Sequence, residues 1–356
     1  MKKVGIITFH HTTNFGSFLQ TLALYENIKS LGYDVEIIDY RSEAIQKRET
    51  PDKKPASLNP KDILKFILFT PIIAKKYRNL MDSVNSCLRL SDTYTVNTIN
   101  NIKEKYDVYV VGSDILWDVE LTNGDKTYFL DFVKDGKKIA FATSVGKKWE
   151  EQTAKDLKKY LCDFEHIAVR ERESAIWISE LLGINIDNVC DPTMLIEEKY
   201  WSGYADKSQF ETGSREYILV YFPDNNMVED AKEYARKNNL DVLVINYRLP
   251  RRNVKNIRVY RVEDFLWLIK KSKMVFTSSY HGVLFSIYFH VPFYIYYRNN
   301  SHNVRFDALV SKFNIGNRIR RLSEEMDDNV DFCSIDDAMS MWRAESLELL
   351  RTYLES

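Results

Sequence analysis

Short runs of β-branched and aromatic residues alternate with stretches of helical apolar spacing along most of this chain, the pattern of parallel sheets joined by crossover helices. The first half predicts strands at 4–9 (VGIITF), 35–40 (VEIIDY), 108–113 (VYVVGS), 138–144 (KIAFATS) and 166–171 (HIAVRE). Between the first two, Leu19, Leu22, Ala23, Tyr25, Ile28 and Leu31 recur close to helical spacing, and Gly32 supplies a stop signal. A second series follows a loop-rich stretch near 197–216, with strands at 217–222 (YILVYF), 241–246 (DVLVIN), 274–279 (MVFTSS) and 293–297 (FYIYY). The fold class read from this pattern is α/β, with two Rossmann-like domains and mainly parallel sheets. The expected domains are 1–196 and 197–334, and an amphipathic helix over 335–356 is expected to pack back on the first domain. With 356 residues, each half is long enough to bury its own core. Three prolines and many charges between 42 and 60 predict a mobile surface loop.

Charge changes the picture little. The 50 Lys+Arg against 51 Asp+Glu leave a net charge of -1, which gives no ground for nucleic-acid binding. Four scattered cysteines with no C-x-x-C pair read as reduced thiols of a cytoplasmic protein, not a disulfide framework or zinc site. The apolar run after Lys2 and Lys3 is broken by histidines and reads as a strand, not a signal peptide. The longest apolar block, 63–73, is about half of the ~20 residues a membrane span requires. Its basic surroundings, Lys61 to Arg78, leave two readings: a partly buried helix, or a helix at the inner membrane face beside a lipid-linked substrate.

Open parallel sheets bind ligands beyond the carboxyl ends of their strands, so the residues following each strand hold the candidate chemistry. After the first strand come Asn14, Gly16 and Ser17, which suit either a ligand loop or an ordinary helix cap. After the third come Asp114 and Trp117, which read as a carbohydrate acceptor and stacking face, or as a cap and a core residue. Arg170 ends the fifth strand, where a two-pronged contact to a carboxylate or phosphate competes with a salt-bridge cluster. The sharpest signal is TSSYHGV at 277–283, between a strand and an apolar helix. There Ser278, Ser279, His281 and Gly282 gather where a helix N-terminus favours an anion. A histidine alone at a helix start reads as a cap; beside two serines and a glycine it reads as a proton donor at an anion site.

Taken in order, NFGSFLQTLAL (14–24), GSDILW (112–117), FATSVG (141–146), VRE (169–171), DPTMLI (191–196), TSSYHGVLFSI (277–287) and SHNVRFDAL (301–309) resemble the polysaccharide pyruvyl transferase family. The resemblance extends from Lys3 to about Arg320. The sequence departs from the commoner form at Ile115, where Gln is usual, and at Val145, where Phe is usual; the first change removes a polar contact and touches acceptor details. The resemblance implies a GT-B-like pair of α/β domains, an acceptor side in the first and a donor side in the second, with the substrates meeting in the interdomain cleft. It implies phosphoenolpyruvate as donor substrate, no cofactor, and a sugar, lipid-linked in some settings, as acceptor.

Forming a pyruvate ketal requires protonation of the enol phosphate's methylene carbon, so a positioned acid is needed. On this scheme His281 supplies the proton, while Arg170, the start of the helix at 278–283 and Arg305 hold the donor's anionic groups. Asp114 orients or deprotonates sugar hydroxyls, and no metal takes part. Two other classes share the architecture: a glycosyltransferase using a nucleotide sugar, and a noncatalytic glycan-binding protein.

Overall fold

The structure, a computed structural model, describes residues 1–298, 303–321 and 325–356. In chain order the strands are β1 (Lys3–Ile7), β2 (Asp34–Tyr40), β3 (Leu90–Tyr94), β4 (Val108–Val111), β5 (Lys137–Thr143), β6 (His166–Val169), β7 (Asp187–Asn188), β8 (Tyr217–Tyr221), β9 (Asp241–Ile245), β10 (Lys255–Ile257), β11 (Met274–Thr277) and β12 (Phe293–Ile295). The helices are α1 (Phe15–Ser30), α2 (Glu43–Glu49), α3 (Pro60–Cys87), α4 (Glu151–Leu161), α5 (Arg172–Leu182), α6 (Glu198–Ala205), α7 (Asn225–Asn238), α8 (Val262–Lys271), α9 (Tyr280–Tyr288), α10 (Val304–Phe313) and α11 (Phe332–Glu355).

The first compact unit holds Met1–Thr50, Met81–Ile196 and Met339–Ser356; the second holds Pro51–Leu80 and Glu197–Ala338. In the first, seven strands run in the order β3-β2-β1-β4-β5-β6-β7; in the second, five run β10-β9-β8-β11-β12. The strand pairs are parallel, for example Val4 with Val108 and Phe276 with Val220. Each order reverses direction beside its first strand, β1 or β8, and such a switch point opens a crevice at the strand ends.

The central strands are continuous apolar runs because helices cover both of their faces. Ile7, Val111, Ala140 and Val169 lie in one core; Ile218, Val220, Val244 and Phe276 lie in the other. Helix α9 is buried on every side, which explains why VLFSIY shows no polar face. The last turns of α11 are tied to the first unit: the Cys190 amide donates to Ser346 Oγ at 3.0 Å, and Tyr353 stacks on His166.

Two expectations need correction. The stretch 42–60 is not a continuous loop: Glu43–Glu49 is helical, with Ile45 buried, and Glu49 accepts both the backbone N–H and the hydroxyl of Thr13. The span 1–196 is not one unit, since residues 51–80 cluster with the second. Ile72, Lys76 and Leu80 form the buried face of that part of α3, at helical spacing. Cys190 is buried, whereas Cys162 and Cys333 are exposed.

Candidate functional site

In the second unit, the turn from β11 into α9 is built by hydroxyls that answer backbone groups. Thr277 donates its hydroxyl to the Tyr221 carbonyl at 3.0 Å and accepts the Ser279 amide at 3.0 Å. Ser279 is the N-cap, its Oγ accepting the Gly282 amide at 3.2 Å. Gly282 is required by packing: a Cβ there would stand 2.7 Å from Thr277 Oγ1. Ser279 and Gly282, read from sequence as ligand contacts, therefore fix the helix start itself. His281 follows as the second helical residue, 8% exposed, with its ring edge-on to Tyr280.

Ser278 faces a different partner. Its hydroxyl donates to the Phe222 carbonyl at 3.1 Å and accepts from Arg298 Nε at 2.9 Å. The guanidinium lies over the Phe222 ring, 5.3 Å from its centroid, and Nη2 donates to the Phe222 carbonyl at 3.4 Å. Sequence reading missed Arg298, although it stands just past a predicted strand. Arg305 lies half-buried in the first turn of α10, whose Phe306 ring sits 6.4 Å from that of Tyr280. Of the closing motif 301–309, Ser301 and His302 lie outside the described residues.

In the first unit, the loops after β1 and β4 are joined by a polar lattice. Ser17 donates to Asp114 Oδ2 at 2.5 Å, and the Ile115 amide donates to Asp114 Oδ1 at 2.8 Å. Gln20 donates to Thr8 Oγ1 and accepts the Ser113 amide. Gly112 is obligatory: its φ is 151°, and a Cβ would fall 1.9 Å from the Phe141 carbonyl oxygen. Asp114 itself has a φ of 80°, in the left-handed region that costs a non-glycine residue energy. Asn14 is the α1 N-cap, and its Oδ1 accepts the Gly16 amide at 2.9 Å.

The structure overturns two assigned roles. Trp117 is no stacking face for a sugar: it is fully buried, stacked at 5.4 Å on Phe129, with Nε1 donating to the Tyr128 carbonyl. Its indole fills the core and its N–H is satisfied there. Arg170 is no donor clamp: it is 1% exposed, donating from Nε to Glu171 at 3.0 Å and from Nη1 to Asp191 at 2.9 Å. A buried guanidinium needs carboxylates around it, and these two are supplied by its own neighbour and by the turn after β7.

A cluster that sequence reading did not assemble lies at the ends of β1 and β2. Asp39 accepts from His10 Nε2 at 2.7 Å, Arg41 Nε at 2.5 Å and Thr93 Oγ1 at 2.7 Å. Burial alone would raise its carboxyl, but the His10, Arg41 and Thr93 bonds outweigh this and hold it well below the usual carboxylate range. His11 packs edge-on to His10 with centroids 4.9 Å apart, and neither of its buried ring nitrogens has a partner among the described residues. Burial, reinforced by the charges of His10 and Arg41, pushes its pKa well below 6.5. The folded protein therefore keeps this imidazole neutral while the unfolded chain protonates below pH 6.5, so stability falls as pH drops from that point. The wild type is expected to lose up to about 1.36 kcal/mol per pH unit relative to His11→Gln between pH 6 and 5. Urea unfolding at a series of pH values measures this, and a constant difference would show that His11 is not held neutral. The signal available beforehand was positional: His10 and Asp39 end adjacent parallel strands.

Comparison with known proteins agrees with this architecture. Over nearly the whole chain the fold is similar to two enzymes crystallised with UDP-GlcNAc. The UDP-GlcNAc 2-epimerase of Neisseria meningitidis has a TM-score of 0.51 at 9% identity, covering 99% of each chain. That of Methanocaldococcus jannaschii, in complex with UDP-GlcNAc and UDP, has a TM-score of 0.50 at 13% identity, covering 97% of this chain and 99% of the other. At such identities the likeness establishes the two-domain α/β fold class alone. No curated protein matches the sequence. Residues 14–300 match polysaccharide pyruvyl transferase, a span that includes the Asn14 cap, the Asp114 turn, the Ser278–Gly282 turn and Arg298, and the chain belongs to that family.

Proposed function

We propose that the protein transfers the pyruvyl group of phosphoenolpyruvate to a sugar and closes it as a ketal. The observation that carries this reading is the start of α9, where an imidazole stands two residues past a serine cap and a guanidinium reaches the serine before that cap. An arginine planar fork and a helix N-terminus are the two recognition elements an enol phosphate needs, since it carries both a carboxylate and a phosphate.

His281 gives a proton to the methylene carbon of the donor, leaving positive charge at C2. A sugar hydroxyl attacks C2, and its proton leaves with the phosphate when the C2–O bond to phosphate breaks; a second hydroxyl of the same sugar then attacks C2 to close the ring and returns a proton to His281. Arg298, the α9 start and Arg305 hold the leaving phosphate and the carboxylate. Asp114 takes the hydroxyl-orienting role in the first unit, each carboxylate oxygen keeping a lone pair beyond its bond to Ser17 or Ile115. The donor role falls to the second unit and the acceptor role to the first.

The test is to incubate the protein with labelled phosphoenolpyruvate and a panel of lipid-linked and free glycans, reading phosphate release and the pyruvyl mass increment. Transfer from a labelled nucleotide sugar, with none from phosphoenolpyruvate, would replace this reading with that of a glycosyltransferase. Arg298→Lys keeps the charge and removes the fork, so the Kd for phosphoenolpyruvate is expected to rise about tenfold. Isothermal titration checks this, and an unchanged Kd would assign Arg298 to holding Phe222.

A further inference from the structure

The N-terminal part of α3 exposes an unusual stripe. Leu64, Ile67 and Leu68 are 56%, 60% and 47% exposed, and Leu58, just before the helix, is 89% exposed. Their spacing, with Pro71 one turn further on, puts them along one face of the helix, and the buried row Ile72, Lys76 and Leu80 continues in the later turns, rotated progressively away from that face. Exposed basic residues accompany the stripe: Lys61 precedes it, Lys65 stands beside Leu64 and pairs with Asp62, and Lys75 and Arg78 follow it. Over 61–80 the four exposed basic residues, Lys61, Lys65, Lys75 and Arg78, stand against the single acid Asp62, an outward balance of +3 in a chain whose net charge is -1; Lys76 is buried.

We propose that this stripe docks on the surface of an anionic lipid bilayer. A row of large aliphatic side chains framed by lysine and arginine is the form of a helix that lies in the interface plane. The apolar row enters the boundary between headgroups and acyl chains, while the cations snorkel to the phosphates. The helix does not cross the bilayer: among the described residues no helix is long and apolar enough to do so. A second copy of the chain is a poorer occupant, because a symmetric contact would set each positively charged segment against its twin. Lipid docking is independent of the proposed reaction and is read without turnover.

The experiment is cosedimentation of the full-length chain with vesicles of phosphatidylcholine mixed with phosphatidylglycerol, against vesicles of phosphatidylcholine alone. Binding is expected to the first and weakly or not at all to the second, and to fall with added salt. Leu64→Glu combined with Ile67→Glu, both at exposed positions, should abolish it with an unchanged circular dichroism spectrum. Lys61→Gln, Lys65→Gln and Arg78→Gln should each weaken it about fivefold. Absence of binding to both vesicle types, equal binding to both, or variants that bind like the wild type would each overturn the proposal. So would sedimentation equilibrium showing a dimer that the Leu64→Glu, Ile67→Glu variant dissolves.

Discussion

Replacing His281 by alanine is expected to lower kcat about 10²- to 10⁴-fold, the range that a positioned general acid contributes. The fold should persist. The α9 start is held by the Ser279 cap and the Thr277 bonds, none of which involves the imidazole, and the ring is a small part of the buried helix. His281→Gln sharpens the test, since an amide keeps a hydrogen-bond donor but has no proton to give at neutral pH. Donor affinity near that of the wild type, together with a collapsed kcat, is the expected signature. Steady-state phosphate release and calorimetric titration supply the two numbers. Turnover retained in both variants would remove the imidazole from the proton-transfer role.

The second large effect is on stability. Arg170→Ala should destabilise the protein by about 3–5 kcal/mol, because it leaves Glu171 and Asp191 buried without their cation. Arg170→Lys should recover only part of this, as a single ammonium does not reproduce two directed N–H contacts on different carboxylates. Urea denaturation measures the loss, and phosphoenolpyruvate titration of the folded variant should return the wild-type Kd. Wild-type stability with weakened donor binding would restore the donor-clamp role to Arg170.

These two residues show which parts of the site were readable from sequence. The 277–283 turn was legible because its chemistry is contiguous: strand, hydroxyls, imidazole, glycine and helix follow one another. Arg170 was ambiguous because its partner Asp191 lies 21 residues away, on a turn whose approach only folding reveals. The His10–Asp39 pair, 29 residues apart, was hidden for the same reason. The central strands were plain because burial on both faces demands apolar runs. Three strands were missed, namely LSDTY at β3, the two residues of β7 and KNI at β10. All three lie at sheet edges, where short polar strands guard against unwanted pairing and so lack the β-branched signature. Trp117 was misleading because an aromatic after a strand looks the same in sequence whether it faces a ligand or the core.

The way the two units share the chain bears on how the protein must be made. The backbone passes between them after residues 50, 80, 196 and 338, so neither is a single stretch that can be excised. A fragment cut at 196 would lack Ser346 and Tyr353, leaving the Cys190 amide and one face of His166 without the groups that cover them. On the ribosome, the strands of the first sheet all emerge before the second unit is complete, but the α11 segment that completes the first unit emerges only after it. Until then the Cys190 amide and the His166 ring lack their α11 cover, so the first unit acquires its last packing contacts at the end of synthesis.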